Sequence, residues 1–176
     1  MKNQSYKAKI LFIGPPKSGK TKLTNFLADQ ILQIPDDFDI IEPLRIVEYD
    51  LYDIQIDGNL SNVDVQIWDA SGDDKFVPYW AVFRKNIDGI VFVYNEEDDI
   101  GAKKLDYMYN YFVSQPNRSL RTCLVCCVEN EEKNVKLPQI FSKISQITIN
   151  LEAPTDKIKQ DFTKFIITVV NTVINK

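Results

Sequence analysis

The segment Gly14-Pro15-Pro16-Lys17-Ser18-Gly19-Lys20-Thr21 follows the apolar run Ile10-Leu11-Phe12-Ile13 and precedes Leu23, Phe26, Leu27 and Ile31 at helical spacing. No other stretch limits the fold so strongly, because a strand, a glycine-bracketed loop and an amphipathic helix in this order build a phosphate cradle. The glycines let the backbone wrap an anion so that successive amides face its oxygens. Lys20 brings a positive charge to the outer phosphates, and Thr21 offers a hydroxyl to Mg²⁺. The free amides and positive dipole end of the following helix face the same anion. Gly14, Pro15, Lys17, Ser18, Gly19, Lys20 and Thr21 are therefore the expected nucleotide contacts. Pro15 and Pro16 carry no amide hydrogen, so they stiffen the loop without adding donors.

A second element of the same chemistry lies downstream. Val63-Asp64-Val65-Gln66-Ile67-Trp68 alternates as a strand and ends in Asp69-Ala70-Ser71-Gly72. At that strand end Asp69 is expected to hold Mg²⁺ through water, and the Gly72 amide to reach the last phosphate. Thr21 and Asp69 are the expected metal residues.

The rest of the chain alternates strands with helices. Strand one covers Ala8 to Ile13, and its helix runs to about Leu32. The stretch from Ile34 to Pro43, with two prolines and several acids, reads as a loop. Strands at Leu44 to Ile56 and Ser61 to Trp68, joined through Asp57-Gly58-Asn59, read as an antiparallel hairpin. The apolar run Ile87 to Tyr94 reads as a central parallel strand. A helix is expected from Lys103 to Ser114, then a strand from Thr122 to Val128, a charged loop from Glu129 to Lys136, a short helix at Pro138 to Lys143 and a strand at Gln146 to Leu151. A long last helix, opened by Pro154, turns Ile158, Phe162, Phe165, Ile166, Val169, Val170 and Val173 inward. The predicted fold is α/β: six strands in a mostly parallel sheet with one antiparallel hairpin, helices on both faces, and residues 1–176 in one domain.

Composition removes several functions. A net charge of −4 and a pI near 4.9 argue against nucleic acid as the partner. The absence of histidine excludes imidazole bases and histidine-ligated zinc. Cys123, Cys126 and Cys127 share one apolar strand, where positions three apart face opposite ways, so Cys123 and Cys126 read as buried thiols rather than as a metal or redox pair. The acidic run Glu96-Glu97-Asp98-Asp99 reads as a solvated loop.

The order of elements, with one hairpin inside a βα-alternating chain, resembles the Ras-like small GTPases over essentially the whole length. Ser18-Gly19-Lys20-Thr21, Leu44-Arg45-Ile46-Val47-Glu48-Tyr49, Trp68-Asp69-Ala70-Ser71-Gly72-Asp73 and Phe112-Val113-Ser114-Gln115-Pro116 resemble the Rab-like subunits of intraflagellar transport complex B. The resemblance implies a protein that binds GTP or GDP with Mg²⁺, docks on coiled-coil subunits of that complex, and is found in cytoplasm, cilium or flagellum, and basal body. Residues 172–176 contain no cysteine and Lys2 stands at position two, so no direct lipid anchor is expected.

Departures from the Ras pattern limit the expected chemistry. Ile41 stands at the first-switch place where those proteins carry a Mg²⁺-ligating threonine. Asp73 replaces the water-orienting glutamine, and its charge would repel an anionic γ-phosphate. No catalytic residue is assured, and hydrolysis is expected to be slow or absent. At the base-recognition position stands Cys127-Val128-Glu129-Asn130, so guanine preference rests on the resemblance. Phe76, Tyr79, Trp80, Val82 and Phe83 crowd the second switch, and Tyr79, Trp80 and Phe83 are the expected partner-binding aromatics. Two alternatives stay open: a switch GTPase that relies on an activating protein, and a small-molecule P-loop kinase. The kinase is disfavoured by a total of four arginines.

Overall fold

The computed structural model describes residues 4–29, 42–95, 99–129 and 137–176. The expectations for Ile31, for Ile34 to Ile41, for Glu96 to Asp98 and for Asn130 to Lys136 lie outside these residues. Six strands form one sheet: β1 (Gln4–Ile13), β2 (Leu44–Ile56), β3 (Asn59–Ala70), β4 (Gly89–Asn95), β5 (Cys123–Val128) and β6 (Ser145–Ile149). Their order across the sheet is β2-β3-β1-β4-β5-β6, all pairs being parallel except β2 with β3. The α/β fold and its hairpin are as read from the sequence. The hairpin turns on Asp57 and Gly58, both at positive φ (47° and 78°), as a two-residue turn between right-twisted strands requires.

Among the described residues four α-helices cover the faces: α1 (Lys20–Leu27), α2 (Trp80–Phe83), α3 (Asp99–Tyr109) and α4 (Asp156–Ile174). β1 shows why both faces need cover. Its Ile10 and Phe12 point into one apolar cluster with α1 and α4, and its Leu11 and Ile13 into a second with α2 and α3. Phe12 stacks on Phe162 of α4 with ring centroids 5.9 Å apart. The cysteines divide as the strand period demands, Cys126 in the first cluster and Cys123 and Cys127 in the second. All three are buried thiols outside any disulfide, and burial pushes the Cys123 thiol up to about 12.

Several boundaries differ from the sequence reading. α1 closes at Leu27 because Asp29 takes a left-handed backbone (φ 53°), which no helix continues through. α3 begins at Asp99, before Lys103, and passes into a π-helical stretch, Asn110–Ser114. Val173 of α4 is 37% exposed rather than buried, because it falls beyond the last turn that packs on the sheet. β2, at the sheet edge, carries a β-bulge between Leu51 and Ile54, with Asp53 at φ 54°.

Candidate functional site

β1 delivers the chain to the loop, and β4 fixes the loop's height. A Cβ on Gly14 would lie 2.0 Å from the Val93 carbonyl oxygen, so only glycine lets the backbone rest on β4. Lys17 and Gly19 both take positive φ (59° and 94°), which curls the loop into a concave nest of amides. Asn95 at the end of β4 donates to the Lys17 carbonyl at 3.0 Å and holds that curl. The third glycine closes the site from the second element: a Cβ on Gly72 would meet the Gly14 oxygen at 2.3 Å and the Pro16 nitrogen at 2.7 Å. The two phosphate elements, far apart in sequence, are in backbone contact.

Lys20 occupies the centre of the loop. Its ammonium donates to the Gly14 carbonyl at 2.9 Å, the Pro15 carbonyl at 2.8 Å and Ser18 Oγ at 3.2 Å. Lys20 is only 5% exposed. Burial lowers its pKa to about 8, Asp69 opposing that shift and Lys104 of α3 adding to it. A cation held this way is poised for an anion that would restore its ordinary pKa.

Beside it lies an oxygen set suited to a hard cation. Thr21 Oγ1 donates to Asp69 Oδ2 at 3.0 Å, leaving the hydroxyl lone pairs free for a metal. Asp69 is fully buried, and its Oδ1 has no hydrogen-bond partner among the described residues. An orphaned buried carboxylate oxygen next to a threonine hydroxyl fits Mg²⁺ and its bound water, since that ion takes oxygen ligands and keeps part of its hydration shell.

Arg45 was not singled out by the sequence reading and sits in the same site. β2–β3 register sets it opposite Asp69. Its Nη2 lies 3.2 Å from Asp69 Oδ2 and 2.5 Å from Thr24 Oγ1, and its Nη1 lies 2.5 Å from Asn25 Oδ1.

Asp73 is turned to its own backbone. It caps the 3₁₀ turn Asp74–Tyr79 by accepting from the Lys75 amide at 3.0 Å, and Lys75 Nζ lies 3.4 Å away. The Lys75 amide hydrogen bond holds its pKa below the usual carboxylate value. The neighbouring Asp74 pairs with Lys104 of α3 at 2.8 Å, tying the second switch to that helix.

The partner-binding expectation needs correction. Trp80 and Phe83 are 3% and 2% exposed and belong to the core. Trp80 packs against Tyr107, Tyr111 and Phe112 with centroids 5.1–5.4 Å away. Only Tyr79 of the three reaches the surface, at 49% exposure; Val82 at 59% and Tyr107 at 54% are exposed as well. Near the expected base site, a Cβ on Gly19 would meet Leu151 at 2.9 Å and Val128 at 3.5 Å, so apolar side chains floor that end of the loop.

The chain matches the family model for Roc, the Ras of Complex domain of DAPkinase, over residues 9–133. It is 30% identical to the intraflagellar transport protein 22 homolog of Danio rerio over 166 residues, 92% of this chain and 89% of that protein. Against the Homo sapiens homolog the identity is 27% over 172 residues, 95% and 92% of the two chains. Among solved structures, it superposes on the T. brucei IFT22/74/81 GTP-bound crystal structure with a TM-score of 0.77 at 26% identity, covering 96% of this chain and 98% of that one. For the T. brucei IFT22 GTP-bound structure the TM-score is 0.70 at 25% identity, with the same coverage. With a family model matched over residues 9–133 and a homologue 30% identical over 92% of this chain, the chain belongs to the Ras-like GTPase superfamily and, within it, to the family of intraflagellar transport protein 22 homologues.

Proposed function

We propose that this chain is a single-domain nucleotide-binding subunit of the intraflagellar transport B complex, holding GTP or GDP with Mg²⁺ and docking on coiled-coil partners. The observation that carries the nucleotide reading is the buried Lys20 ammonium at the centre of the Gly14–Thr21 loop, beside the Thr21–Asp69 pair. Gly14, Pro15, Lys17, Ser18, Gly19, Lys20, Thr21 and Gly72 hold the phosphates; Thr21 and Asp69 hold the metal. The solved T. brucei relative with two further intraflagellar transport proteins supports the partner class. Family membership supports residence at the cilium or flagellum, with cytoplasm and basal body as the supply route.

Hydrolysis is slow or absent in this reading. The Asp73 carboxylate is engaged in capping the Asp74–Tyr79 turn and remains anionic, so it neither orients water as a glutamine does nor accepts a proton readily. The arginines support an interaction subunit over a kinase. Arg45 is bound to Asp69, Arg84 lies over the Tyr111 ring at 4.6 Å, and Arg118 donates to the Ile87 carbonyl at 2.9 Å. None of these three is left to clamp a second polyphosphate.

Titration of the purified protein with mant-GDP and mant-ATP, followed by single-turnover hydrolysis with and without coiled-coil partners, tests the reading. Guanine-selective binding lost in Lys20→Ala, with negligible turnover, is expected. Equal affinity for mant-ATP together with phosphoryl transfer to a small molecule would favour the kinase.

A further inference from the structure

Arg45 brings a fixed positive charge to the metal side of the phosphate site. Its guanidinium lies 3.2 Å from Asp69 Oδ2 and 3.5 Å from the Thr21 carbonyl oxygen. The group is built in: Thr24 and Asn25, both on α1 and both buried, accept from it at 2.5 Å each. Its Nε is buried with no hydrogen-bond partner among the described residues, as is Asp69 Oδ1. The ion pair thus holds one unpaired acceptor, Asp69 Oδ1, and one unpaired donor, Arg45 Nε.

We propose that Arg45 is a resident cation of this site, which makes nucleotide retention only weakly dependent on Mg²⁺. The inference rests on the nucleotide reading above. In a phosphate loop with an unpaired aspartate, removal of the divalent ion leaves a buried carboxylate facing phosphate anions, and their repulsion in a low-dielectric pocket drives nucleotide off. Here the guanidinium neutralises Asp69 whether or not metal is bound, so that repulsion is muted. The same charge lowers the attraction of Asp69 for an incoming Mg²⁺, because a carboxylate paired with arginine offers a divalent ion less net charge. Both effects act in one direction, loosening the coupling between metal and nucleotide.

The measurement is the mant-GDP dissociation constant of the full chain in magnesium and in EDTA. Wild type should lose less than about tenfold affinity on chelation, and Arg45→Gln should lose ~100-fold or more. Arg45→Lys keeps the charge and should stay close to wild type. A wild-type loss of ~100-fold or more on chelation overturns the inference without any variant, and so does an unchanged EDTA penalty in a folded Arg45→Gln. Absence of mant-GDP binding even in magnesium overturns the nucleotide reading itself, and this inference with it.

Discussion

Raising the pH should loosen nucleotide well before an ordinary lysine would lose its proton. Burial takes Lys20 from 10.5 down to about 8 in the nucleotide-free protein, and a bound polyphosphate favours the charged form. If only the ammonium binds phosphate, affinity falls about fourfold between about pH 7 and pH 8.5 and about tenfold by about pH 9, whereas a lysine near its ordinary value would leave it almost unchanged. The stability of the free protein moves the other way. Between about 8 and 10.5 the unfolded chain carries the Lys20 proton and the folded chain does not. Stability therefore rises with pH through that window, and the buried charge costs about 3 kcal/mol below it. The two assays are mant-GDP titration at three pH values and urea unfolding of the nucleotide-free protein across the same range. The point near pH 8.5 decides, because the guanine base keeps its proton there. Unchanged affinity between about pH 7 and pH 8.5 would refute the reasoning, because it would mean that the three loop oxygens offset the lost hydration of the ammonium.

Trp80→Ala should lower stability by about 3–5 kcal/mol, seen as a large drop in Tm, because the ring is buried among Tyr107, Tyr111 and Phe112. Tyr79→Ala should change stability by no more than about 0.5 kcal/mol and weaken capture of a coiled-coil partner by about 2 kcal/mol; full-strength capture would move the interface off this face. Gly72→Ala should destabilise by about 1–3 kcal/mol and weaken mant-GDP binding, because its Cβ would collide with the loop backbone. Single-turnover hydrolysis by wild type should stay at or below about 10⁻⁴ s⁻¹. Asp73→Gln should hold or modestly raise that rate, and a loss of turnover in Asp73→Ala would give the carboxylate a role denied to it here.

The Gly14–Thr21 loop and the strand end at Asp69 were legible as structure because each is local: a strand, its turn and the next helix suffice to place Lys20, Thr21 and Asp69. The hairpin was legible for the same reason. Arg45 was not, and the bulge explains why. Counting back from the turn pairs Ile56 with Asn59 and Ile54 with Ser61, which would set Ile46 across from Asp69. The extra residue near Asp53 shifts the register and brings Arg45 there instead. A change of one position flips the face on which each side chain lands, so only a prior sign of the bulge could have revealed the contact. Trp80 and Phe83 failed for another reason. The four residues of α2, after a 3₁₀ turn, are too few to show a helical period, and the aromatics that cover Trp80 come from the α3 region some thirty residues on. The end of α1 was misplaced because apolar spacing continues past the left-handed Asp29.

β2 also has to live at the rim of the sheet. It is thirteen residues long and, among the described residues, has β3 on one side only, so its outer backbone groups could template a neighbouring molecule into a growing ribbon. Two features oppose this. Glu48, Asp50 and Asp53 are exposed along the strand, and the bulge at Asp53 breaks the even row of donors and acceptors. Such a guard keeps neighbouring copies of the chain from pairing edge to edge. Neutralising Asp50 and Asp53 together should leave the fold intact and turn concentrated protein turbid, with thioflavin fluorescence as the readout.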